Sequence, residues 1–263
     1  MKKGLLLLII LVNVLVFSYA QSRQANNVLG VSLFNEPLIG VVVNDKIQFY
    51  EINNWTGGSW AHQTYLNMTL PTGYGSIFGL ELFREPLIGV AVNNRIQFYQ
   101  INNRTGTWTH QTELNMPLPA GYSYIFGIDL FGEPLIGVVV NNRIQFYQIS
   151  NRTGTWTHQT DLNMALPDEY GCVFGLTLFR EPLIGVIANE RIQFYQISNR
   201  TGTWTHQTDL NITLPMGYGN AFGLSISNEP LIGITVNNRI QFYQVNNRTG
   251  AWFHYSDLDL VFP

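Results

Sequence analysis

One unit written five times dominates this chain, and it leaves few folds open. The segment Glu-Pro-Leu-Ile-Gly recurs with its proline at Pro37, Pro86, Pro134, Pro182 and Pro230, spacings of 49, 48, 48 and 48 residues. A tryptophan recurs at Trp60, Trp108, Trp156, Trp204 and Trp252, every 48 residues. The one inserted residue falls in the glycine-containing turn at 55–59, so the regular elements around it keep their register. Repeats of this length cannot bury their apolar faces alone and must stack on one another.

Each copy holds four segments of strand character. In the third copy they are residues 126–131, 135–140, 143–149 and 156–164. Asn141-Asn142 separates the second from the third, and Asn tolerates the left-handed conformation a tight hairpin demands. The second segment, Leu-Ile-Gly-Val-Val-Val, has no polar alternation, as expected of a strand covered on both faces. The fourth is the most polar. Four strands per 40–50 residues is the pattern of a propeller blade. Five copies without distinct caps favour a closed ring, since an open stack would expose apolar faces at both ends. The expectation is an all-β, five-bladed β-propeller with repeats at about 29–77, 78–125, 126–173, 174–221 and 222–263. Outer strands end in Leu-Pro at Pro71, Pro119, Pro167 and Pro215, and each is followed by Tyr74, Tyr122, Tyr170 or Tyr218. The fifth junction, where the chain ends meet, lacks this loop.

The first twenty residues read as a secretory leader. Lys2 and Lys3 precede an apolar run over 5–17, and Ser18-Tyr19-Ala20 offers small residues at a cleavage site, so residues 1–20 are expected to leave a single domain over 21–263. No other stretch is long and apolar enough to span a bilayer. The 263-residue chain has a net charge of −3, and without Lys2 and Lys3 it has 12 basic against 17 acidic residues, or −5. That balance excludes the basic footprint of a nucleic-acid binder. Cys172 is the sole cysteine, so no intrachain disulfide is possible and core packing must hold the domain together.

The order of motifs in each copy resembles the tachylectin family of five-bladed propeller lectins. The matching run is Gly121-Tyr122, residues 126–131, 135–138 and 141–144, Phe146-Tyr147 and Trp156, and the likeness covers all five copies. It implies a secreted, defence-type lectin of innate immunity that binds N-acetylated amino sugars such as N-acetylglucosamine between adjacent blades. The family carries Gly-Gly-Trp in the junction loop, where this chain has a tyrosine.

The side chains themselves offer little catalytic asymmetry. His62, His110, His158, His206 and His254 share one repeat position and read as outer-strand or surface groups, too far apart in a ring to share a zinc ion. Glu36, Glu85, Glu133, Glu181 and Glu229 precede proline in a turn. A glycosidase pair would have to come from neighbouring blades, and no copy shows an exceptional acidic cluster. Asp168-Glu169 alone breaks the glycine-bearing junction. The aspartate box of sialidase propellers is absent. Sugar binding asks for less: an aromatic face and a few amides or backbone groups. The candidates are Tyr74, Tyr122, Tyr170 and Tyr218 at the junctions and Trp60, Trp108, Trp156, Trp204 and Trp252, the tryptophans reading first as wedges between blades. Asn54, Asn103, Asn151, Asn199 and Asn247, with Asn67 and Asn211, each begin Asn-x-Thr and are candidate glycan acceptors. The sequence thus points to a secreted, multivalent carbohydrate-binding lectin that is not an enzyme and needs no cofactor or metal. The alternative is a non-catalytic protein-binding or extracellular-matrix adhesion propeller.

Overall fold

The computed structural model describes residues 28–33, 36–52, 59–82, 85–102, 105–130, 133–150, 153–178, 181–198, 201–226, 229–246 and 249–261. The expected leader and the five turn sequons from Asn54 to Asn247 lie outside them. No helix among the described residues is long and apolar enough to cross a membrane.

Five antiparallel sheets follow one another along the chain, each made from one repeat with no strand exchanged between them. In the third blade the strands are Tyr122–Leu130, Glu133–Val140, Arg143–Ile149 and Trp156–Ala165, paired in that order. The innermost strand starts four residues earlier than its apolar pattern indicates. A bulge between Tyr122 and Ile125 breaks the alternation there and hides the strand's first turn of pairing. In the other blades the outer strand is cut by a short 3-10 turn, as at Thr112–Leu114, before a two-residue strand resumes. The tight hairpins form as their asparagines demand: Asn141 and Asn142 have φ of 49° and 58°, the left-handed pair of a type I′ turn.

The five innermost strands surround a common axis, and that of blade 1 (Val28–Leu33) touches that of blade 5 (Tyr218–Ile226), so the ring is closed. The core consists of five apolar layers, each shared by two consecutive blades. One of them joins Val28, Ile39 and Val41 of blade 1 to Leu231, Ile240 and Phe242 of blade 5. Around the axis a glycine of each inner strand meets its neighbour's backbone. A Cβ added to Gly175 would lie 2.5 Å from the Gly127 carbonyl oxygen, and one on Gly30 would lie 2.7 Å from that of Gly223. Any side chain there would force the strands apart.

The tryptophans join the blades. Each indole stacks on a fully buried phenylalanine of the preceding blade: Trp108 on Phe49 at 5.2 Å, Trp156 on Phe98 at 5.2 Å and Trp204 on Phe146 at 5.2 Å. Trp252 stacks on Phe194, and Trp60 closes the circle on Phe242 at 5.3 Å. Four of these indoles also donate Nε1–H to a leucine carbonyl of the preceding blade, Trp60 to Leu258 at 2.7 Å. The fifth, Trp252, has its Nε1 buried without a partner.

Two stability outcomes follow from this geometry. Trp60→Ala removes the ring and the hydrogen bond that close blade 5 on blade 1. It is expected to cost about 3 kcal/mol, as large-to-small changes of aromatic residues do, read as a lowered midpoint in urea unfolding. Glu169 sits at φ 57° where the equivalent junctions use Gly73, Gly121 and Gly217. Glu169→Gly relieves that left-handed strain and should raise the same midpoint by about 0.5–1 kcal/mol.

Candidate functional site

The inner strands run from a junction end, where those of blades 2 to 5 begin at a tyrosine, to an opposite end, where each turns back toward the Glu-Pro hairpin. The sequence candidates gather at the first of these ends or at the rim. Tyr122 is buried in the layer between blades 2 and 3. Tyr74, Tyr170 and Tyr218 are half-buried. Burial pushes the Tyr74 phenol up, and the neighbouring Asp45 carboxylate adds to the effect. Tyr170 pairs its hydroxyl with Ser123 at 3.3 Å and packs edge-on to Tyr124 at 6.1 Å. The tryptophans occupy the interblade joints with their rings against phenylalanine. The histidines stack on third-strand tyrosines, as His110 does on Tyr99 at 5.0 Å. The Nε2 of His62, His110, His158 and His254 also meets an Asn or Asp oxygen five residues on. No three His, Cys, Asp or Glu side chains among the described residues converge as a metal site. Of the sequons, Asn67 and Asn211 end 3-10 turns on the outer strands of blades 1 and 4.

Cys172 is buried at the junction end, 3.5 Å from the Ala221 carbonyl oxygen. Burial pushes its thiol up to about 11, against an ordinary 9.0. The same burial, with Cys172 and Tyr170 close by, pushes Tyr124 up to about 12.

The axis holds what the sequence reading missed. At the opposite end of the inner strands a cavity of about 170 Å³ opens on the ring's centre. Glu81 of blade 2 and Asp129 of blade 3 line it together, with Thr177 of blade 4 next around the ring. All three are exposed and occupy one register position, two residues past the collar glycines Gly79, Gly127 and Gly175. Both carboxylates interact with neighbouring groups. Further along the axis a smaller space of about 40 Å³ is walled by Leu29, Phe78, Phe126, Phe174 and Phe222 together with the collar glycines.

The signal for this site lies in what fails to repeat. The five copies read Gly-apolar-x-apolar here, with x being Ser32, Glu81, Asp129, Thr177 and Ser225. The glycine and its apolar neighbours hold the ring together, whereas at Glu81, Asp129 and Thr177 x lines the cavity and differs from copy to copy. A search for an acid repeated in every copy passes over one that stands at this position in only two of the five.

No family model and no curated protein matches the chain. Solved structures do. Exo-β-1,3-galactanase from Phanerochaete chrysosporium with β-1,3-galactotriose superposes with a TM-score of 0.60 at 10% identity, covering 90% of this chain and 66% of that one, just under two thirds of its length. The same enzyme with galactose gives 0.57 at 10% identity, over 89% and 67%. A thermostable family-43 glycoside hydrolase gives 0.57 at 9% identity, over 88% and 93%. At such identity the likeness is one of fold.

These neighbours correct the functional expectation. The chain was read as a non-catalytic lectin for N-acetylated amino sugars, with an adhesion propeller as the alternative, and as no enzyme. Solved structures that share its fold include glycoside hydrolases, so the architecture does not mark it as a non-catalytic lectin. The physical reason is closure around an axis. No copy holds an exceptional acidic cluster, yet the ring brings single acids of two neighbouring blades, Glu81 and Asp129, to one cavity. The tachylectin likeness holds as far as the five-bladed architecture.

The buried thiol yields a test of the junction end. A thiol at about 11 leaves roughly one part in a thousand ionised at pH 8, and only the thiolate attacks reagents. Folded protein should therefore react negligibly with an aromatic disulfide reagent at pH 8, and unfolded protein rapidly. Because the folded value is raised, the protonated thiol favours the fold at pH below 9. That contribution is lost as pH rises from about 9 through about 11, so Cys172→Ala should flatten the alkaline fall in melting temperature over this window.

Proposed function

We propose that this protein is a carbohydrate-active enzyme of the glycoside hydrolase kind, acting on β-linked galactose-containing glycans at the axial mouth. The observation that carries the reading is the meeting of Glu81 and Asp129, from adjacent inner strands, in one open cavity. Glycoside hydrolysis commonly needs two carboxyl groups flanking the scissile bond. One protonates the leaving oxygen, while the other activates a water or attacks the anomeric carbon. Inner strands pinned together by the glycine collar hold such a pair with little freedom, as positioning of catalytic groups requires. The fold supports the choice of substrate class, since its solved neighbours carry galactose and β-1,3-galactotriose. The tachylectin-like motif order contributes the scaffold alone to this proposal. The leader-like first residues support an activity outside the cell, and Asn67 and Asn211, on outer strands away from the axis, are the described candidate glycan acceptors.

Release of galactose from β-1,3-galactotriose and from a panel of β-linked oligosaccharides tests the proposal. Glu81→Gln and Asp129→Asn should each lower kcat by about 10²–10⁴-fold, the usual worth of a positioned acid or base, with the fold intact by circular dichroism. The anomer first released reports the spacing of the two carboxyls: retention for about 5–5.5 Å, inversion for about 6.5–9.5 Å. Folded wild-type protein that cleaves nothing in the panel, or variants as active as the wild type, would overturn the reading.

A further inference from the structure

We infer that Thr177 is the specificity-determining residue of the axial mouth, its hydroxyl hydrogen-bonding one ring hydroxyl of the sugar held beside Glu81 and Asp129. The inference rests on the proposal that this mouth is the glycan site, and it adds the group that tells one sugar from another.

Thr177 stands at the register of the two acids, one blade beyond Asp129, and lines the same cavity. Neighbouring inner strands touch at the collar, where a Cβ on Gly175 would lie 2.5 Å from the Gly127 oxygen. Side chains one blade apart at this level can therefore reach a single sugar ring. Thr177 is exposed, and no described group hydrogen-bonds its hydroxyl, whereas Glu81 and Asp129 both have partners. An ionised carboxylate can only accept hydrogen bonds, while a hydroxyl donates and accepts. The other described side chains that line the cavity are aliphatic, among them Val31, Leu80, Ile128 and Leu224. Thr177 is thus the one neutral hydroxyl among the described lining residues, set against apolar walls where a missing hydrogen bond is felt. Sites that recognise a sugar or substrate hydroxyl reject analogues lacking it, because the protein group is left without a partner.

The test pairs Thr177→Val, which keeps shape and loses the hydroxyl, with Thr177→Ser, which keeps it. On β-galactosides the valine variant should lose about tenfold in kcat/KM, mostly in KM, and the serine variant should recover most of that loss. Across the set of monodeoxygalactosides, wild type and Thr177→Val should become equal for one position only. Equal behaviour of Thr177→Val and wild type on every sugar overturns the inference while Glu81→Gln still tests the hydrolase reading separately. Calorimetric binding of galactotriose supplies a second readout that needs no turnover. Weakened binding by Thr177→Val in a protein that hydrolyses nothing would keep Thr177 and remove the hydrolase. Binding unchanged by the substitution, or absent in the wild type, would remove Thr177.

Discussion

Every other feature of the molecule depends on the flat apolar layer that each blade must share with both neighbours. A four-stranded sheet whose second strand reads Leu-Ile-Gly-Val-Val-Val cannot leave either face in water, because burial of such surface is the main favourable term in folding. Stacking sheets face to face satisfies it, and bending the stack into a circle removes the two exposed ends. The stacked Trp–Phe pairs set the spacing at the wider, outer part of each joint. The glycine collar sets it near the axis, where only backbone fits. Between those limits the blades are wedge-shaped, and five of them close.

Closure explains how a chain of near-copies acquires a site without fivefold symmetry. Positions that face a neighbouring blade are held to one residue type by packing. Positions that face the axis meet only one another across open space, so packing leaves them free to diverge. Glu81, Asp129 and Thr177 sit at that level. The junction end shows a second break, where Asp168-Glu169 replaces a glycine-bearing loop beside Ser123, Tyr124 and Cys172. The ring of Leu29, Phe78, Phe126, Phe174 and Phe222 lies between these two ends along the axis.

Most of the architecture was legible in the residues. The period gave the blade number, the asparagine pairs marked the hairpins, and the tryptophan at one place per copy marked a wedge, as the indole stacks and hydrogen bonds bear out. The early start of the inner strands was hidden, because a bulge at Ser123-Tyr124 interrupts the alternation by which strands are read. The carboxylate pair was hidden for a different reason. Periodicity draws attention to what recurs, and Glu81 and Asp129 lie 48 residues apart in sequence at a position where recurrence fails. Only the curvature of the ring, which no single repeat encodes, makes them neighbours.

The absence of strand exchange at the seam has a further consequence. Blade 1 and blade 5 are each spun from a single repeat, and they meet through the same stacked ring and glycine contact as every other joint, and the same carbonyl hydrogen bond as three of them. Among the described residues, the contacts at this joint are of the same kinds as those at the other joints. The circle has in effect no privileged origin, and a polypeptide wired to begin at any of the other junction loops would rebuild the same ring. Its parts are then exchangeable in order but not in identity, since moving the break leaves blades 2, 3 and 4 presenting their unlike side chains to the same central space.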